Sequence, residues 1–166
     1  MSATPNETSN HAPDDGTAVQ NMTEPVRRAV IVVGIIVLVG GLAGLIAASG
    51  QDLTEPRGAR VGAFMHLNPL GAWVSIALGL LTIAGGALRS HAVVLAASVG
   101  LLVCVVLVTF GANRPTNLLG GTASTVGFHL GPAAGLLTLV LAERAALRAP
   151  DSRAGSTDDV PGRPAR

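Results

Sequence analysis

Histidines, thiols and acids carry most protein chemistry, and in this chain they are sparse. Of its four histidines, only His129 lies well inside an apolar stretch. A titratable side chain in that setting is a candidate for function by default. It stands in the string Gly127, Phe128, His129, Leu130, Gly131, Pro132. Pro132 has no N–H for the carbonyl of Phe128, so a kink that opens a small polar pocket is expected there. Thr122, Ser124 and Thr125 precede His129 by one to two turns. A related string, Phe64, Met65, His66, Leu67, Asn68, Pro69, lies earlier, so that His, Leu, any residue, Pro occurs at 66–69 and again at 129–132. The competing reading of His129 is a neutral ring that hydrogen-bonds a neighbouring helix and only fixes packing.

Other chemistries lack their parts. Cys104 is the single cysteine, which leaves no disulfide, redox pair or thiolate metal site. No apolar run holds a carboxylate for proton coupling or metal-assisted hydrolysis. Asp52 and Glu55 stand close to Arg57 and Arg60 and read as a solvated, charge-balanced loop. A bis-histidine haem needs two rings at matched depth; His129 is one, but His66 is shallow and His91 falls at the opposite end. The aromatics Phe64, Trp73, Phe110 and Phe128 share one half of the runs, as an interfacial belt or as the wall of a cavity. The candidate ligand set is therefore His129, His66, Trp73, Phe128, Ser124 and Thr125, lining a pocket for a lipid tail, a quinone or, less readily, a haem. No metal site and no catalytic group is expected.

These residues are positioned by four stretches without Lys, Arg, Asp or Glu: 29–51, 61–88, 90–113 and 115–142. About 20 apolar residues at a rise of about 1.5 Å cross the hydrocarbon layer. The expected fold class is all-α, an integral membrane four-helix bundle over residues 26–148, with spans at about 28–50, 64–88, 91–110 and 120–143. Tails at 1–25 and 149–166, poor in apolar residues, are expected to be disordered. Only 13% of residues are charged, against about a quarter in a soluble chain. The +1 net charge, without a basic patch, gives no nucleic-acid signal. All eleven basic residues are Arg, a bias that suggests GC-rich bacterial coding. Arg27 and Arg28 before the first run resemble a signal peptide, but the run is too long and is expected to remain as a span. Arg27, Arg28, Arg89, Arg144, Arg148 and Arg153 fall on the side of the tails, and Arg57, Arg60 and Arg114 on the other. The positive-inside rule then predicts a bacterial inner-membrane protein with both termini cytoplasmic.

Inside lipid, helices associate where small residues let backbones approach. Rows with a step of four occur in every run: Gly40 and Gly44 in the first; Gly71, Ser75 and Gly79 in the second; Ala96 and Gly100 in the third; Gly127, Gly131 and Gly135 in the fourth. A compact bundle follows, and one row, most naturally the fourth, is available for a homo-oligomer or a membrane-protein partner.

The Gly-rich first run, the Gly62, Ala63, Phe64 entry to the second, the short turn at 88–91, and the Asn- and Leu-rich loop leading through Thr122 and Ala123 to His129 together form a pattern. It resembles an actinobacterial family of small four-span membrane proteins, a domain of unknown function, over residues 27–145. The family places Asp and Asn where Ser124 and Thr125 stand, its histidine one residue earlier than His129, and His and Asn near Gly71, Ala72 and Ser75. The resemblance implies architecture and lineage and carries no reaction. The expected function is a structural, accessory or interaction subunit in contact with membrane lipid; the alternative is a binder of a hydrophobic ligand or cofactor.

Overall fold

The computed structural model describes residues 22–62, 65–112 and 114–148. Of the expected tails at 1–25 and 149–166, residues 1–21 and 149–166 lie outside the described residues, as does Phe64. Four helices follow in order, α1 (Glu24–Ala47), α2 (Pro69–Ala87), α3 (His91–Gly111) and α4 (Ala123–Arg148), with a two-stranded antiparallel ribbon, β1 (Ala59–Val61) and β2 (Met65–Leu67), between α1 and α2. All four helices are long and apolar enough to cross a membrane. α1 packs most extensively on α2, α3 on α4, and α2 on α3, while α1 and α4 touch lightly. Because successive helices run in opposite directions, the start of α1, the α2–α3 turn and the end of α4 share one end of the bundle. The ribbon and the 112–122 loop cap the other.

The α1–α2 seam is made by backbone. A Cβ at Gly34 would lie 2.9 Å from Ile83 N, one at Gly41 2.8 Å from Ile76 N, and one at Gly79 2.7 Å from Leu38 N. Glycine alone permits this approach, and close packing of backbones is how helices associate without a hydrophobic drive. The row differs from the expected one by face: Gly34 and Gly41 sit at the centre of the seam, whereas Gly40 meets the ring of Phe128 on α4 and Gly44 meets Leu67. In α3, Gly100 packs against Leu78 but Ala96 is exposed.

The second helix starts later than hydropathy suggests. Met65–Leu67 pair as a strand, and α2 begins at Pro69, with the Asn68 side chain accepting from Gly71 N at 2.8 Å. Proline disfavours a helical residue before it and is well placed at a helix start. At the other end Arg89 takes a left-handed φ of 53°, and Ser90 caps α3 by accepting from Val93 N at 3.4 Å. Just before α1, Met22 is 1% exposed within the core of Val30, Val37, Val94, Leu101, Leu136 and Val140. Residues 22–25, expected within the disordered tail, are therefore ordered, with the Met22 side chain docked between helices and Glu24 opening α1.

Candidate functional site

Along α4 the buried side chains are Thr125, His129, Ala133, Leu136, Val140 and Glu143. Steps of three and four keep them on one face, and His129 consequently points to the bundle centre, where it is 2% exposed. Its Nδ1 is 3.0 Å from the carbonyl of Thr125. A carbonyl can only accept, so Nδ1 carries the proton. Its Nε2 lies 3.0 Å from Ser75 Oγ, which is also 2.9 Å from Gly71 O. For a neutral ring, one hydroxyl proton is thus shared between two acceptors. This is the one side-chain hydrogen bond joining α2 to α4 among the described residues. Nearby, Ser98 Oγ donates to Ala133 O at 2.8 Å and ties α3 to α4.

α4 runs as one helix through Pro132. His129 fills its space with both nitrogens engaged, in place of the open polar pocket expected beside the proline. Phe128 lies edge-on to the His129 ring at a centroid distance of 5.2 Å and packs at Gly40 of α1. Thr125 connects the core to the cap: its hydroxyl donates to His66 O at 2.8 Å and accepts from His66 N at 3.2 Å. His66 itself belongs to β2, so the two His-Leu-x-Pro strings occupy different structures, a strand leading into α2 and the interior of α4. Trp73, 55% exposed, faces outward from the first turns of α2. Ser124 is exposed and bonds Thr122 across 2.9 Å. The structure brings together His129, Thr125, Phe128 and Ser75; it leaves Trp73 and Ser124 outside that cluster.

The cap is knit by two asparagines. Asn68 Nδ2 donates to Leu118 O at 2.8 Å and Glu55 O at 3.2 Å, and Asn117 Nδ2 donates to Gly121 O at 2.8 Å and Pro56 O at 3.0 Å. Both loops thereby become one layer. Gly58 and Gly120 hold left-handed φ of 60° and 62°, and a Cβ on Gly120 would lie 2.8 Å from Asn68 Cβ. Between the loops opens a cleft of about 640 Å³, lined among others by Arg57, His66, Arg114 and Thr122.

The opposite end holds a buried histidine–carboxylate hydrogen bond. His91 Nε2 lies 2.7 Å from Glu143 Oε2, with the two side chains 8% and 4% exposed. The backbone N–H of Thr23 donates to the other carboxylate oxygen at 2.5 Å. Glu143 escaped attention because it stands one residue beyond the fourth charge-free run and His91 opens the third helix. The signal available was their shared end of the bundle: a carboxylate just past the charge-free run and an imidazole at a tight turn.

Among the described residues, no group of three or more His, Cys, Asp or Glu could hold a metal ion. The fold and these clusters define a four-helix bundle of membrane-spanning length, with a polar pin at its centre, a buried histidine–carboxylate pair at one end and a hydrogen-bonded cap at the other. No family model, curated protein or solved structure matches the chain.

Proposed function

We propose that the chain is a multi-pass bacterial inner-membrane protein, with both termini cytoplasmic, that works without chemistry of its own as an interaction subunit. The outward face of α4 is its contact surface for a transmembrane helix of another chain. The observation that carries this reading is a contrast between glycines. A Cβ on Gly34, Gly41, Gly79 or Gly100 would strike a neighbouring helix, whereas one on Gly127, Gly131 or Gly135 would meet nothing within 4 Å. Each glycine in a helix interior costs about 1 kcal/mol relative to Ala. In α1 to α3 close packing inside the chain offsets that cost. In α4 the row is exposed between Leu130 and Leu141, and a second helix approaching along it would provide the offset. Orientation rests on the arginine distribution, and lineage on the resemblance to the actinobacterial four-span family.

The test is Gly131→Leu in the tagged full chain, followed by co-purification from native membranes in mild detergent with mass spectrometry of bound proteins. The substitution meets no atom within the bundle, so its melting should be unchanged within about 1 kcal/mol. Loss of a stoichiometric partner, or of the dimer, is the expected result. A variant that retains all its partners would remove the α4 face from the proposal.

The histidine-pocket alternative is less well supported at His129, because axial ligation or ligand contact would require breaking the bonds to Ser75 and Thr125.

A further inference from the structure

The cap cleft has a composition unlike the rest of the molecule. Two guanidinium groups, Arg57 and Arg114, line it together with His66, and no carboxylate is among its lining residues. Neither arginine forms a salt bridge with any described residue. The His66 ring is turned so that Nδ1 is buried without a partner among the described residues. His66 as a whole is partly exposed and lines the cleft. Paired guanidinium forks with an imidazole suit an oxyanion, phosphate above all.

Two apolar grooves join this cleft. One, of about 480 Å³, runs between the ends of α3 and α4 past Thr109, Ala112 and Val126, and shares Gly121 and Thr122 with the cleft. The other, of about 350 Å³, runs along the opposite flank of α3 past Val106, Leu107 and Phe110, and shares Arg114 with it. Trp73, one turn into α2, is exposed at this same end of the bundle, as interfacial aromatic side chains are.

From this continuity we infer that the cap is a binding site for an anionic diacyl phospholipid. The headgroup phosphate lies between Arg57 and Arg114 beside His66, and the acyl chains lie in the grooves flanking the last turns of α3. An anionic lipid is favoured over a zwitterionic one because it brings no ammonium group into a cleft already lined by two cations. The site is separate from the glycine row of α4, and its test is independent of the partner proposed above.

The full chain in mild detergent is titrated with phosphatidylglycerol, phosphatidylcholine or inorganic phosphate, and binding is read by thermal stabilisation and by native mass spectrometry of retained lipid. Expected is retention of phosphatidylglycerol over phosphatidylcholine, weakened about tenfold or more by Arg57→Gln with Arg114→Gln, as the loss of charge-assisted hydrogen bonds implies. Both arginines are exposed, so the lipid-free melting of this variant should match wild type. Thr109→Trp, which fills one groove without touching the cations, should also weaken the lipid. Equal phosphatidylglycerol binding by the double-arginine variant would overturn the proposal. A response to inorganic phosphate as large as that to phosphatidylglycerol, and indifferent to Thr109→Trp, would assign the cleft to a soluble phosphate ester and overturn the lipid assignment.

Discussion

His91, the first residue of α3, and Glu143, near the end of α4, form a buried hydrogen bond at 2.7 Å, and the same carboxylate receives the backbone N–H of Thr23. One side chain thus fastens α3, α4 and the segment entering α1. The pair stands at the end of the bundle rich in arginine, where Glu24 also meets Arg27 and Arg28 at 3.0 Å each and Arg89 at 3.6 Å. Those exposed contacts contribute little. The buried one differs, because removing one partner strands the other.

Glu143→Ala leaves the His91 ring and the Thr23 N–H without their acceptor and is therefore expected to destabilise the bundle by about 1 to 3 kcal/mol, measured by denaturant unfolding in detergent micelles. His91→Ala should cost less, since Thr23 N–H still satisfies the carboxylate in part. A double variant should be less destabilised than the sum of the two. Strict additivity would mean that the pair has no energetic coupling.

At the centre, Ser75→Ala leaves Nε2 of His129 buried without a donor, with an expected loss of about 1 to 3 kcal/mol. Replacing both residues by apolar ones, Ser75→Ala with His129→Leu, should recover most of that loss, because no polar group is then left unpaired. If the double variant is worse than either single one, the ring does more than bridge α2 and α4.

The glycine seam gives the sharpest contrast. Gly41→Leu drives a side chain into the backbone of α2, where a Cβ alone would lie 2.8 Å from Ile76 N. Overpacking there should cost at least about 1 to 3 kcal/mol. Gly131→Leu should leave the melting of the isolated chain unchanged. Equal losses at the two positions would place α4's glycine row inside the bundle.

Much of this architecture was legible in the run of residues. Charge-free stretches of about 25 residues leave few alternatives to spanning helices, and three of the four helices begin within a few residues of the expected positions. The ribbon at Ala59–Leu67 was not legible: its six paired residues are interrupted by a turn, and Met65 to Leu67 are apolar enough to be absorbed into the next run. The Asn68-Pro69 step was the available stop signal. Spacing by four locates small residues but not the faces they occupy: it passes over Gly34 and Gly41, and it picks out Gly127, Gly131 and Gly135 without showing that this row meets nothing inside the bundle. His129 was found because a lone imidazole among aliphatics is conspicuous. Its partner Ser75 was recognised only as a small residue, since sequence carries no record of which hydroxyl crosses a bundle diagonally. The Arg57, His66 and Arg114 cleft joins residues from two loops more than 40 positions apart, brought together by the hydrogen bonds of Asn68, Asn117 and Thr125.

A further prediction concerns that cap. Asn68→Ala removes the N-cap of α2 and two donors to the flanking loops, and should cost about 2 kcal/mol. Limited proteolysis should then cut within residues 51–67 or 112–122 faster than in wild type, with the helices left protected. Unchanged cleavage would mean that the loops are held by other contacts.

The cap also constrains the order in which the chain is completed during synthesis. Asn68 is made before α3, but the carbonyl of Leu118 that it bonds emerges only after α3 has been translated. The first hairpin, sealed by backbone contact between α1 and α2, needs nothing from later residues. Its loop does. The ribbon segment therefore lacks its cross-loop partners until the 112–122 loop and the start of α4 have been made, when Thr125 can accept from His66 N. Closure of the cap cannot precede synthesis of the second hairpin.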